Sequence, residues 1–211
     1  MSGLFVIVAA LVAAPSAASA AILGFSCLGT GNSAANCATV EAQMTVDITQ
    51  TDNWLNFKFA NSGPAASYID GVYFSDPPPS LLGGSATIAY SNGGIFFDED
   101  CRPDDLPGNW GTTYCADTNK AQNGVHPGEW VKLSYLLDNA DADGVATLLA
   151  RLAAGDFDIG LKLQGFTGGG SEWAVVNGSP PTTQVPEPGV LLLLTAGLAT
   201  LIPGMRKGRR G

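Results

Sequence analysis

The stretch WVKLSYLL, Trp130 to Leu137, alternates with a period of two. Val131, Leu133, Tyr135 and Leu137 fall on one face, with Lys132 and Ser134 on the other, which is the pattern of a strand that buries one side and wets the other. The stretch from Phe157 to Phe166 repeats it, with Phe157, Ile159, Leu161 and Leu163 set against Asp158, Lys162 and Gln164. One-sided burial belongs to antiparallel sheets, because the strands of a parallel sheet are covered on both faces and read as continuous apolar runs.

Working outward, further strand candidates bounded by Gly, Pro, Asn and Asp are Met44 to Thr49, Trp54 to Phe59, Tyr68 to Phe74, Thr87 to Tyr90, Ile95 to Phe97 and Trp173 to Val176. Runs such as Asp76 to Pro79, Gly83-Gly84 and Gly168 to Gly170 read as loops. One helix interrupts the series. Val145, Leu148, Leu149 and Leu152 fall at helical spacing, Asp143 stands at the N-cap position and Gly155 at the C-cap. The expectation is a mainly β domain over residues 21–176, a β-sandwich or jelly roll carrying one short helix.

The two ends read as routing signals. Residues 1–20 have an apolar stretch from Leu4 to Ala14 and a small-residue end, Ala18-Ser19-Ala20. That is the pattern of a secretory signal peptide cut by signal peptidase, with Ala21 as the new N-terminus. At the other end, residues 177–184 read as an extended linker rich in Pro and Thr. Residues 185–211 then hold three parts in order: Val185-Pro186-Glu187-Pro188, an apolar run from Gly189 to Met205, and the cations Arg206, Lys207, Arg209 and Arg210. The run makes roughly 25 Å of helix at about 1.5 Å per residue, enough for a short transmembrane span. Four cations beyond it put the C-terminus on the cytoplasmic side.

This tripartite tail resembles the PEP-CTERM sorting signal of Gram-negative bacteria that make exopolysaccharide. The resemblance covers about the last 26 residues of 211. It implies recognition by a membrane-embedded exosortase, cleavage near Pro186-Glu187-Pro188, and a tail that serves as an address. The expected location is therefore the cell envelope, membrane-anchored before processing and at the cell surface or outside it afterwards. The stretch from Gly124 onward also resembles ectodomains found upstream of such signals, in its helix, its Gly160 to Phe166 strand and its Gly169 to Glu172 turn. That group brings no settled biochemical role with it.

Charge narrows the partners. The whole chain is −9 at neutral pH, but the four tail cations offset much of the acidity of the exported part. That part holds six basic residues against 18 acidic ones, a balance of −12. Such a surface repels phosphate backbones, so nucleic acid is not an expected partner. Its four cysteines form two local pairs, Cys27 with Cys37 and Cys101 with Cys115. Export favours disulfides between near neighbours. Zinc is disfavoured because the chain has no C-x-x-C pair and one histidine.

Three constellations bear on chemistry. Asn139 to Gly144 opens like a calcium loop with Asp141 and Asp143, but the twelfth position is Ala150 where a bidentate Glu belongs. The capped-turn reading of Asp143 competes with it. Asp98, Asp100 and Asp104, around Cys101, are the second calcium candidate, against a solvated acidic loop. For catalysis, a Ser-His-Asp arrangement has only His126 to use, in a loop, and any carboxylate pair is unremarkable among 18 acids. No cofactor and no catalytic set are expected. Among the aromatics, Trp54 and Trp130 begin amphipathic strands and are expected in the core, while Trp110, between Asn109 and Gly111, is the candidate for stacking on a sugar ring. The functional expectation is a non-enzymatic envelope or matrix protein that contacts exopolysaccharide; the alternatives are a carbohydrate-binding module and a secreted hydrolase.

Overall fold

A computed structural model describes residues 20–28, 33–99, 111–138 and 143–176. The rest of the expected signal peptide, the expected linker and the expected sorting tail lie outside the described residues, as do Asp100, Cys101, Asp104, Trp110 and Asp141. The elements run β1 (Ala20–Cys27), α1 (Ala34–Gln43), β2 (Met44–Thr51), β3 (Trp54–Asn61), β4 (Tyr68–Ser75), β5 (Leu82–Tyr90), β6 (Tyr114–Asp117), β7 (Glu129–Leu137), α2 (Gly144–Ala154), β8 (Asp158–Gln164) and β9 (Glu172–Val176).

All nine strands join one antiparallel sheet in the order β5-β7-β3-β2-β1-β9-β8-β4-β6. β1 is where the sheet turns. Its first residues, Ala20 to Gly24, pair with β2, and its last, Phe25 to Cys27, pair with β9. The sheet is thus curled, and its two halves face each other. The alternation in β3 and β7 points Leu55, Phe57, Phe59, Val131, Leu133 and Tyr135 inward, all fully buried. From the opposite half Phe74 meets them, its ring 4.9 Å from Phe57, 5.5 Å from Tyr135 and 6.0 Å from Phe59. Residues 18–183 form one compact unit around this core.

The two edge strands approach each other without pairing. The Tyr114 hydroxyl of β6 donates to the Leu82 carbonyl of β5 at 2.8 Å. Ile95 to Phe97, expected as a strand, is instead irregular chain lying along this gap, because its partners come from several elements. Phe96 N–H donates to the Asn123 carbonyl, and the Phe97 amide and carbonyl both bond the Tyr90 hydroxyl. Asp98 forms an isolated bridge with Asp117. Gly83 and Gly84, expected as a loop, lie inside β5 where its register against β7 shifts, with Gly84 at φ 69°.

The helix at Gly144–Ala154 forms as its spacing predicts. Asp143 caps it by accepting the Ala146 N–H at 2.9 Å, and Gly155 ends it at φ 75°. A second helix, α1, was not anticipated. Ser33 caps it, and Cys37 ties it to β1 through the Cys27–Cys37 disulfide. Cys115 is also disulfide-bonded, and its partner lies outside the described residues.

A buried charge anchors α2. Asp76 is fully buried and bonds Arg151 at 2.8 Å while accepting the N–H groups of Leu81 and Leu82. Arg151 also donates to the carbonyls of Pro77 and Asp156. The proline loop after β4 is thereby fixed to the end of α2.

Candidate functional site

Trp54 and Trp130 are not in the core. Leu55, Phe57 and Phe59 take the inward positions of β3, so the period of two turns Trp54, Asn56, Lys58 and Ala60 outward. The same rule turns Trp130, Lys132 and Leu136 outward from β7. These residues make a face built from β5, β7, β3, β2 and β1, and the register arranges it in rows.

At one end Trp54 stands opposite Leu136, which is 44% exposed. The next row is polar: Thr49, Asn56, Ser134 and Thr87 are successive cross-strand partners. Ser134 Oγ donates to Asn56 Oδ1 at 2.7 Å, and Asn56 Nδ2 donates to the Thr49 carbonyl at 3.2 Å, which fixes the amide. Then comes a charged row, Asp47, Lys58 and Lys132. Lys58 does not turn to Asp47; its Nζ lies 5.2 Å over the Trp130 ring. Among the described residues neither Lys58 nor Lys132 has a carboxylate within 4.0 Å.

The outward side of the other half differs. There Trp173 packs against Tyr73, whose centroid lies 5.6 Å away and which is 1% exposed. Lys162 lies over Trp173 and 3.7 Å from Asp70. Burial raises the Asp70 carboxyl above the ordinary range, opposed by the Lys162 charge. Burial also raises Asp158. Asp158 stands opposite Ser75 at one end of the β4–β8 ladder, while Asp70 lies next to Gly71, the partner of Lys162, toward the other. His126 packs on Tyr68 at 5.2 Å, and no described serine or carboxylate side chain bonds its ring.

Cys27, Cys37 and Glu172 present ligand-type atoms within 4.8 Å of one another. The sulfurs are bonded to each other, which removes them as thiolate ligands. Glu172 is 1% exposed, and its Oε1 accepts from the Ser33 N–H and from Asn36 Nδ2 at 3.1 and 2.9 Å. It ties the start of α1 to β9. Of the calcium candidates, Asp143 serves as a helix cap and Asp98 pairs with Asp117 through the backbone, while Asp100, Asp104 and Asp141, their expected companions, lie outside the described residues. No family model, curated protein or solved structure matches the chain.

Proposed function

We propose that the chain is an exported cell-envelope or extracellular-matrix protein, not an enzyme, whose domain contacts exopolysaccharide through the outward face of β3 and β7. The curled sheet is read here as a β-sandwich of two facing halves. Routing rests on the order of the C-terminal stretch, Pro186-Glu187-Pro188, apolar run and cations, and on the Ala18-Ser19-Ala20 end of the leader. Cleavage after Ala20 leaves Ala21 to Cys27 of β1 in place, so a domain of this fold survives the cut.

The contact function is carried by one observation: a rowed face with partly exposed indoles, a row of amide and hydroxyl groups, and two lysines that have no carboxylate within 4.0 Å among the described residues. The Trp54 indole offers an apolar face to sugar C–H groups, and the Thr49 and Thr87 hydroxyls at the ends of the polar row offer hydrogen bonds to sugar hydroxyls, while buried Ser134 and partly buried Asn56 hold the row's middle. Co-precipitation of the exported protein with the polysaccharide of its host tests the reading. Trp54→Ala with Leu136→Ala should reduce retention by about tenfold while leaving the melting temperature nearly unchanged, because truncating an aromatic anchor typically removes about 1–2 kcal/mol or more of binding. Equal retention of the variant contradicts it.

A further inference from the structure

We propose that the polysaccharide bound on this face is anionic, an acidic polymer lying along β3 and β7 with its carboxylate or sulfate groups over Lys58 and Lys132. The inference rests on the polysaccharide contact proposed above and adds the charge of the polymer.

The placement of the cations carries it. The exported part is acidic, and its described cations are few: Lys58, Lys120, Lys132, Arg151 and Lys162. Arg151 is held by Asp76 and Lys162 by Asp70. Lys58 and Lys132 are instead direct cross-strand partners in the middle of the open face. Like charges set directly opposite one another destabilise a sheet. A carboxylate is at hand to relieve this, since Asp47 is the register partner of Lys58 on the other side. The Lys58 side chain leans the other way, its Nζ over the ring of Trp130 on β7, the strand that also carries Lys132. The result is a double cation on an acidic domain, which attracts an anion from outside the chain.

The spacing indicates the form of that anion. Trp54 and Lys58 are four residues apart on β3, roughly 13 Å at about 3.3 Å per residue, and the row of Trp130 lies two residues further. A free phosphate or a single sugar covers the lysines alone. A polymer reaches from the Trp54–Leu136 end, across the Asn56–Ser134 row, to the charged row. The row between the two ends is polar, with Thr87 exposed beside buried Ser134, which suits sugar hydroxyls, where an acyl surface needs continuous apolar area.

Binding of the purified exported protein to alginate and polygalacturonate, and to the carboxyl-reduced form of each, is the test, read by affinity electrophoresis and calorimetry. Retention by an acid polymer is expected, falling about tenfold or more between low and high salt as counterions compete. Lys58→Gln with Lys132→Gln should lower affinity for the acid polymer by about tenfold and leave the weak binding of its reduced form unchanged. Trp54→Ala should weaken both. Equal affinity for acid and reduced forms, with no effect of the lysine changes, overturns the anionic reading while leaving polysaccharide contact intact. Retention of none of the polymers removes both readings. Binding instead to phosphatidylglycerol vesicles, with the same lysine dependence, assigns the face to a membrane and also overturns it.

Discussion

Replacing Asp76 by Ala should be among the most damaging single changes in the domain, although the residue lies in a loop between strands. Its carboxylate bonds Arg151 Nη1 at 2.8 Å, the Leu81 N–H at 2.9 Å and the Leu82 N–H at 2.8 Å, all with no exposure of its own. The truncation strands two backbone donors, each worth about 1–3 kcal/mol when buried and unsatisfied. It also leaves Arg151 unpaired, with a side chain 17% exposed. Removing one partner of a buried pair costs about 3–5 kcal/mol, and the overlapping contributions put the total in that range. At roughly 2–4 °C per kcal/mol for a domain of this size, the melting temperature should fall by about 10 °C. Arg151→Met should cost less, because Asp76 keeps both backbone donors. The double variant should then be little worse than Asp76→Ala alone, since the two side chains act as a unit. Urea unfolding followed by tryptophan fluorescence measures all three. A cost below about 1 kcal/mol for Asp76→Ala, or strict additivity in the double variant, refutes the clamp.

Two other expectations follow from single contacts. Replacing Cys27 and Cys37 by Ser opens a loop of sequence separation 10 and should cost about 3 kcal/mol in urea unfolding, while non-reducing peptide maps of the wild type should show the Cys27–Cys37 link. Burial raises the folded-state Asp158 carboxyl above its unfolded value, so the charged form is penalised at neutral pH and the penalty fades as pH falls through the folded value. Asp158→Asn should therefore raise the melting temperature near pH 7 and not near pH 3, about a unit below the ordinary carboxylate value; a gain of the same size at both sets burial aside as the cause.

The strands with a clean period were legible, and so was α2, because Trp130 to Leu137, Phe157 to Leu163 and the Asp143–Gly155 caps each encode local structure within one element. β1 was hidden, since Ala20 to Cys27 reads as the end of a leader followed by an apolar start. α1 was hidden for a different reason. Val40 is its one buried aliphatic residue, and its anchors, Cys27 and Glu172, lie in two separate strands, one of them more than 130 residues away. A four-residue strand such as β6 carries too little pattern to detect. The tryptophans are the instructive error. Hydrophobicity placed Trp54 and Trp130 inside, yet Leu55, Phe57 and Phe59 had already claimed the inward positions, and the period of two outranks the character of one side chain. Applied strictly, that alternation would have shown the open face, because it also sets Lys58 and Lys132 outward.

The account turns on routing, and the termini of the mature protein test it most directly. Mass spectrometry of protein from a host with a working exosortase should find an N-terminus at Ala21 and a C-terminus near Glu187, with Leu191 to Arg210 absent. Glu187→Ala should leave a longer, membrane-retained form, since the apolar run still inserts. A mature chain that keeps Arg206, Lys207, Arg209 and Arg210, or that starts at Met1, contradicts the sorting reading and leaves the tail as a plain anchor.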